Sequence, residues 1–349
     1  MIRKIFSPVA LSVSAMVLLM SGCSDDTTAS SSVSQASKPA EVAPVATPAP
    51  VAEAPKTVEA DEFAYKVEPK KVADNVWCFF GALEMPTREN GGEMANNCFI
   101  KGDDSYVVWD TGPSYVYAKQ AYAAMAKEAG ELPVKYVIIS HEHDDHWFGN
   151  SYYKDVHGAE IIGPEAINLD FEIGSTDHRM FDILSEDALG DTKVIHVDKF
   201  YKEITDLNLA GIDLQYVPVG NAHSKEDFFL WMPSNKLILA GDIVMNGRVT
   251  SNRDGSVEGS IAALETINAK DWEVLIPGHG FIIDKTATDE YVEYFTMMRD
   301  RIEAAMDEGI DETGIVEAVP MVEFKDKPLY EALHGLNVSR AYQEYDMGL

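Results

Sequence analysis

Residues 134–150 read VKYVIISHEHDDHWFGN, an apolar run followed at once by six consecutive ionisable side chains, His141 to His146. Charged groups set directly behind a buried strand are costly to desolvate, so this clustering calls for a chemical reason. In extended chain, residues two apart share a face, which lets His141 and His143 grip one ion while Glu142 points away. As the chain turns towards the next helix, Asp145 and His146 swing to the far side and can take a second ion.

The rest of the ordered chain repeats this grammar. NVWCFFG, NNCFIKG, SYVVWD, AEIIGPE, TKVIHVD, LQYVPVG, DFFLWMP, KLILAGD and WEVLIPGHG read as further strands. PSYVYAKQAYAAMAKEAG reads as a helix with Pro113 and Ser114 at its start and Gly130 past its end. The segments PEAINLDFEIGSTDHRMFDILSEDALG, SIAALETINAKD and DEYVEYFTMMRDRIEAAMDEG are expected to be helical as well. Strands and helices interleave, so the fold class is α/β. Four apolar strands end in a metal-binding side chain: His141, His223, Asp242 and His279. Strand ends converge on one edge of a sheet, where loops hold a site open. The expected ligand sets are His141, His143 and His223 for one ion, and Asp145, His146 and His279 for the other, with Asp242 as the bridge. The other histidines, His157, His178, His196 and His334, have no such context; His196 is expected inside the strand TKVIHVD.

HEHDDH resembles the HxHxDH signature of the metallo-β-lactamase superfamily, and VVWDTG, GNAHSKEDFFLWMPSNKLILAGD and VLIPGHG follow that family's landmarks in order. The resemblance implies an αββα four-layer sandwich, here with a helical C-terminal extension. It implies the same seven ligands, two Zn2+ per chain, and Asp110 as a carboxylate that braces a ligand from behind. A bridging Asp242 is similar to the glyoxalase II, lactonase and broader hydrolase branches. HWFGN, ENGGEMANNCFIKG, AGDIVMNGRV and LNVSRAYQEY are similar to periplasmic zinc metallohydrolases found with sulfur-oxidation and quinoprotein systems.

Three readings of function follow. The leading one is a binuclear zinc hydrolase in which hydroxide attacks an ester, thioester, lactone or amide carbonyl, β-lactams included, with Asp145 handling the proton. The second is an iron-dependent persulfide dioxygenase, since no thiolate enforces zinc. The third is a non-enzymatic metal- or partner-binding lipoprotein. Arg248, just downstream of Asp242, reads either as a clamp on a substrate carboxylate or as a loop-stabilising ion pair. Trp147 is a candidate pocket wall, although core packing is the commoner use of an aromatic.

The chain has 349 residues and a formal net charge of −30 (Lys+Arg 28, Asp+Glu 58), which repels phosphate backbones and makes nucleic acid an unsuitable partner. A small molecule is the expected substrate. The N-terminus carries a basic MIRK, an apolar IFSPVALSVSAMVLLM and then SGCS. Met20-Ser21-Gly22-Cys23 resembles a bacterial lipobox, which implies a signal peptide over residues 1–22, lipidation of Cys23 and a periplasmic protein anchored to the outer membrane. Residues 23–59 are Ser/Ala/Pro-rich and are expected to form a disordered tether. The catalytic domain is expected over 60–284 and the helical extension over 285–349. Cys78 and Cys98 lie on neighbouring expected strands and read either as a disulfide or as two small buried apolar residues.

Overall fold

The computed structural model describes residues 62–172, 178–282, 284 and 287–348. The expected signal peptide, the tether and Cys23 lie outside the described residues. Among the described residues no helix is long and apolar enough to cross a membrane.

Strands β1 (Lys70–Ala73), β2 (Val76–Phe79), β3 (Asn97–Lys101), β4 (Tyr106–Trp109), β5 (Val134–Ile138) and β6 (Glu160–Ile162) form the first sheet in sequential order. It is antiparallel up to β4, and parallel from β4 through β6. The second sheet takes β7 (Thr205–Leu209), β8 (Ile212–Gly220), β9 (Asp227–Met232), β10 (Leu237–Met245) and β11 (Val274–His279) in the order β11-β10-β9-β8-β7. Cys78 and Cys98 face each other in the β2–β3 register and are joined by a disulfide.

Side-chain alternation sorts these strands into layers. Cys98, Ile100, Val107, Trp109 and Ile138 point inward and meet Tyr216, Phe228, Leu230, Leu239 and Ile276 of the second sheet. Phe99, Val108 and Val137 point the other way, under helix α1 (Tyr115–Ala129). Ser114 caps that helix, its hydroxyl accepting a hydrogen bond from the Tyr117 amide at 3.1 Å, and Gly130 ends it. Short helices α2 (Asp144–Trp147), α3 (Asn150–Tyr152), α4 (Ala166–Glu172), α5 (Arg179–Ile183) and α6 (Glu186–Leu189) follow on this side. Val217, Phe229, Ile238 and Leu275 face outward from the second sheet against α7 (Val257–Asn268), α8 (Ala287–Asp307), α9 (Ile315–Ala318) and α10 (Tyr330–Met347). The result is the αββα sandwich, and the C-terminal helices share one continuous core with the second sheet.

Two expectations are corrected. TKVIHVD is not a strand: residues 192–197 have no regular structure, and only Lys199 forms an isolated bridge, to Ile162. Val194 and Ile195 both pack on the core under α1 although they are adjacent, which breaks the alternation a strand requires, and His196 is exposed. The long segment before it is helical as expected only in separate pieces, α4, α5 and α6, among its described residues.

Candidate metal centre

The candidate ligands sit just past β5 and β8, at the end of β11, on and beside α2, and within β10. Ser140 and His141 follow β5, His143 caps α2 from outside it, and Asp145 and His146 lie on α2. His223 follows β8, Asp242 lies within β10, and His279 closes β11. All seven are buried.

They form two groups. His141, His143, His223 and Asp242 make one, and Asp145, His146 and His279 the other. In the first, His143 Nδ1 lies 3.0 Å from His141 Nε2 and 2.9 Å from His223 Nε2. His223 Nε2 is 3.3 Å from Asp242 Oδ2. In the second, His146 Nε2 is 3.4 Å from His279 Nε2, and Asp145 Oδ2 is 3.6 Å and 3.4 Å from these two atoms. Asp242 stands between the groups, with Oδ1 3.2 Å from His146 Nε2 and Oδ2 3.2 Å from His279 Nε2.

These spacings suit metal ions. Bonds of about 2.0–2.1 Å in a tetrahedron place neighbouring donors roughly 3.3 Å apart. The donors are imidazole nitrogens and carboxylate oxygens with no thiolate, and Asp242 Oδ1 is buried with no hydrogen-bond donor. The remote nitrogen of each histidine is separately engaged. Asp110 Oδ2 lies 2.9 Å from His146 Nδ1, and Asp254 Oδ2 lies 3.0 Å from His143 Nε2. The carbonyls of Ser251 and Met94 accept from Nδ1 of His223 and His279 at 2.8 and 2.7 Å, and Ser140 Oγ meets His141 Nδ1 at 2.9 Å. Such partners fix the ring tautomer and aim the inward nitrogen at an ion. Asp110 also accepts from the Ser140 amide and hydroxyl, and it takes a left-handed backbone (φ 51°) that a non-glycine residue adopts only under tertiary constraint.

The sequence profile described as the metallo-beta-lactamase superfamily matches residues 90–279, more than half of the chain. The chain belongs to the metallo-β-lactamase superfamily. It is accordingly a metal-dependent hydrolase with His/Asp groups able to bind metal ions. Solved structures share the fold at low identity. A metallo-beta-lactamase from Pontibacter korlensis is 16% identical, with a TM-score of 0.52 over 66% of this chain and 98% of that one. The inverting sec-alkylsulfatase Pisa1 from Pseudomonas sp. is also 16% identical, with a TM-score of 0.61 over 80% of this chain and 50% of that one. The DIM-1 metallo-beta-lactamase is 14% identical, with a TM-score of 0.52 over 68% and 99%. Among curated proteins none matches the chain by sequence.

In this superfamily member, protonation is arranged by burial and by neighbouring charge. Burial holds His141 well below the ordinary imidazole range and His223 at about 4, so both rings stay neutral and able to donate a lone pair. Burial opposes charge on Asp145, yet His146, Arg179 and His279 together hold its carboxyl well below the usual carboxylate range.

Above the donors opens a cavity of about 360 Å3, mouth included. Asp145, Asp242, Arg179, Arg248 and Arg253 contribute to its polar wall, and Met85, Met94, Met245 and Leu333 to its apolar one. Trp147, expected in the wall, is in the core instead. Its indole NH donates to the Glu142 carbonyl at 2.8 Å and its ring packs on Phe148 and His178, because α2 turns that side chain away from the donors. Arg248 does reach the cavity and is 4% exposed. Sequence reasoning missed Arg179, which donates to Asp145 Oδ1 and to Asp144 Oδ1, both at 2.9 Å. It missed Asp254 as well. Neither residue has a spacing that announces it, since each meets its partner across a gap in sequence that only folding closes.

Proposed function

We propose that the chain is a lipid-anchored periplasmic hydrolase that uses two zinc ions to cleave an ester, thioester, lactone or amide. The observation that carries this reading is the shared carboxylate: Asp242 faces both donor groups, as a two-ion site needs. His141, His143 and His223 would hold one ion, Asp145, His146 and His279 the other, with Asp242 between them. Zinc bound there supplies Lewis acidity, which lowers the pKa of water and polarises a carbonyl.

The protein's own part is positional. Arg179 pins Oδ1 of Asp145, so Oδ2 keeps its aim at the donors and the carboxylate is held ionised, ready to orient or accept the proton of an attacking water. The cations lining the cavity are arginines, which do not give up a proton at neutral pH. A thiolate departs without a proton, whereas an amine must be protonated as it leaves, and this favours a thioester over an amide.

The test is metal content of the full chain, purified without added metal, followed by a screen of esters, thioesters and β-lactams. The reading expects about two zinc ions per chain, falling to about one in Asp242→Ala, and turnover of at least one carbonyl substrate. About one iron with little zinc, together with persulfide-dependent oxygen uptake, would replace it with the oxidoreductase reading.

A further inference from the structure

Arg248 is buried in the wall of the metal-ligand cavity, and one of its terminal nitrogens, NH1, has no hydrogen-bond partner. Its Nε donates to the Val249 carbonyl at 3.2 Å, which fixes the plane of the guanidinium. A buried cationic donor left without an acceptor costs free energy that a folded protein normally avoids. The carboxylates of Asp242 and Asp145 are the negative charges acting on it. In the metal-loaded site both belong to cations, so Arg248 would face a surplus of positive charge. Arg179 and Arg253 line the same cavity, in a chain whose formal net charge is −30. Arg179 is paired with Asp144 and Asp145 and Arg253 with Asp254, so NH1 of Arg248 is the donor that an anion entering the cavity would meet without a partner.

We infer that the substrate carries an oxyanion, a carboxylate or sulfonate type of group, that docks on Arg248 while the body of the molecule lies against the methionines and Leu333. This rests on the hydrolase reading for its chemistry but not for its binding. Arg248 then acts as a substrate-binding residue, and the neutral analogue of the substrate binds without its main anchor.

Two arms test it. Benzenesulfonate, a poor metal ligand, is titrated calorimetrically into the zinc-loaded full chain and into Arg248→Gln, after zinc content has been matched. Affinity is expected to fall about tenfold to a hundredfold in the variant. Equal affinity in the two proteins, or no binding by the wild type, overturns the inference. Should Arg248→Gln not fold, Arg248→Lys takes its place, with an expected loss of about threefold to tenfold because the planar fork is gone; unchanged affinity there overturns it equally. In the second arm, kcat/KM is compared for p-nitrophenyl acetate and for mono-p-nitrophenyl succinate, its carboxylate-bearing counterpart. Arg248→Gln should lose selectively on the charged ester, mainly through KM, and an equal loss on both esters would show a merely structural role. If neither ester is turned over, the hydrolase reading fails on these substrates and the binding arm still decides the anion site.

Discussion

Asn337 on α10 accepts a hydrogen bond from the Asn252 amide at 2.8 Å and donates one to the Thr250 carbonyl at 2.7 Å. Between those residues, Ser251 presents its carbonyl to His223, and three residues beyond Ser251 Asp254 meets His143. Arg340 and Glu344 of the same helix hold the Gly255 carbonyl and the Val257 amide. The last helix of the chain thus braces the loop that orients two candidate ligands. Asn337→Ala leaves two buried backbone groups without partners, at about 1–3 kcal/mol each. Zinc affinity should drop about tenfold to a hundredfold. Competition with a chromophoric chelator measures the affinity and urea unfolding the stability; unchanged values in both would exclude the brace.

Asp145→Asn keeps the size of the side chain but removes the charge that Arg179 stabilises. Turnover should fall by about 10²–10⁴ on the best substrate, with little change in the far-ultraviolet spectrum. Retention of more than a tenth of wild-type kcat would remove Asp145 from the chemistry.

Gly278 leaves no room for a side chain. A Cβ there would stand 1.9 Å from Asp242 Oδ1 and 2.6 Å from the backbone carbon of Gly241. Gly278→Ala must displace the carboxylate that both donor groups share. Zinc content below that of the wild type is the expected result, with a destabilisation of about 1–3 kcal/mol from overpacking. A variant with full zinc content and wild-type melting would contradict this geometry.

Removing metal should weaken the fold, because seven buried donors then face one another without a charge to share. A ligand at a thousandfold excess over its Kd stabilises by about 4 kcal/mol. For a chain of this size that corresponds to a rise in Tm of roughly 10 °C. Thermal unfolding of the chelator-treated chain with and without added zinc reads the difference directly.

Arg301 on α8 grips Glu323 through two bonds, of 3.0 and 2.6 Å, and holds that carboxyl at about 2 rather than its ordinary 4.5. A carboxyl depressed by folding stabilises above its unfolded pKa, and the contribution fades as pH falls through the folded one. Wild type should therefore exceed Arg301→Ala in stability at pH 7 by a small margin, and the margin should close between about pH 4.5 and about pH 2. A margin that stayed constant over that window would show that the pair does not act through charge. High salt should narrow it at neutral pH.

How much of this was legible beforehand depends on the distance over which each contact is written. Ser114 and Gly130 bound α1 as their residue types suggest, and the alternation in SYVVWD and KLILAGD matches the inner and outer cores. Trp147 was not legible, because an aromatic beside a site is equally suited to core and wall until its backbone direction is known. TKVIHVD misled because its apolar residues are dense, and composition alone does not distinguish a strand from a half-buried connection.

By itself the sequence determined the class of fold, the strand ends near which His141, His223 and His279 lie and the chemistry of the candidate donors, since period and residue type are local properties of the chain. Only the tertiary structure decided that Arg179 restrains Asp145, that Asp254 and the Ser251 carbonyl aim His143 and His223, and that α10 stands behind that loop. Those contacts join segments about 30 to 110 residues apart, and local pattern carries no record of them. They exist because burying the shared cores brings the segments together, and each buried polar group must then find the partner that is within reach.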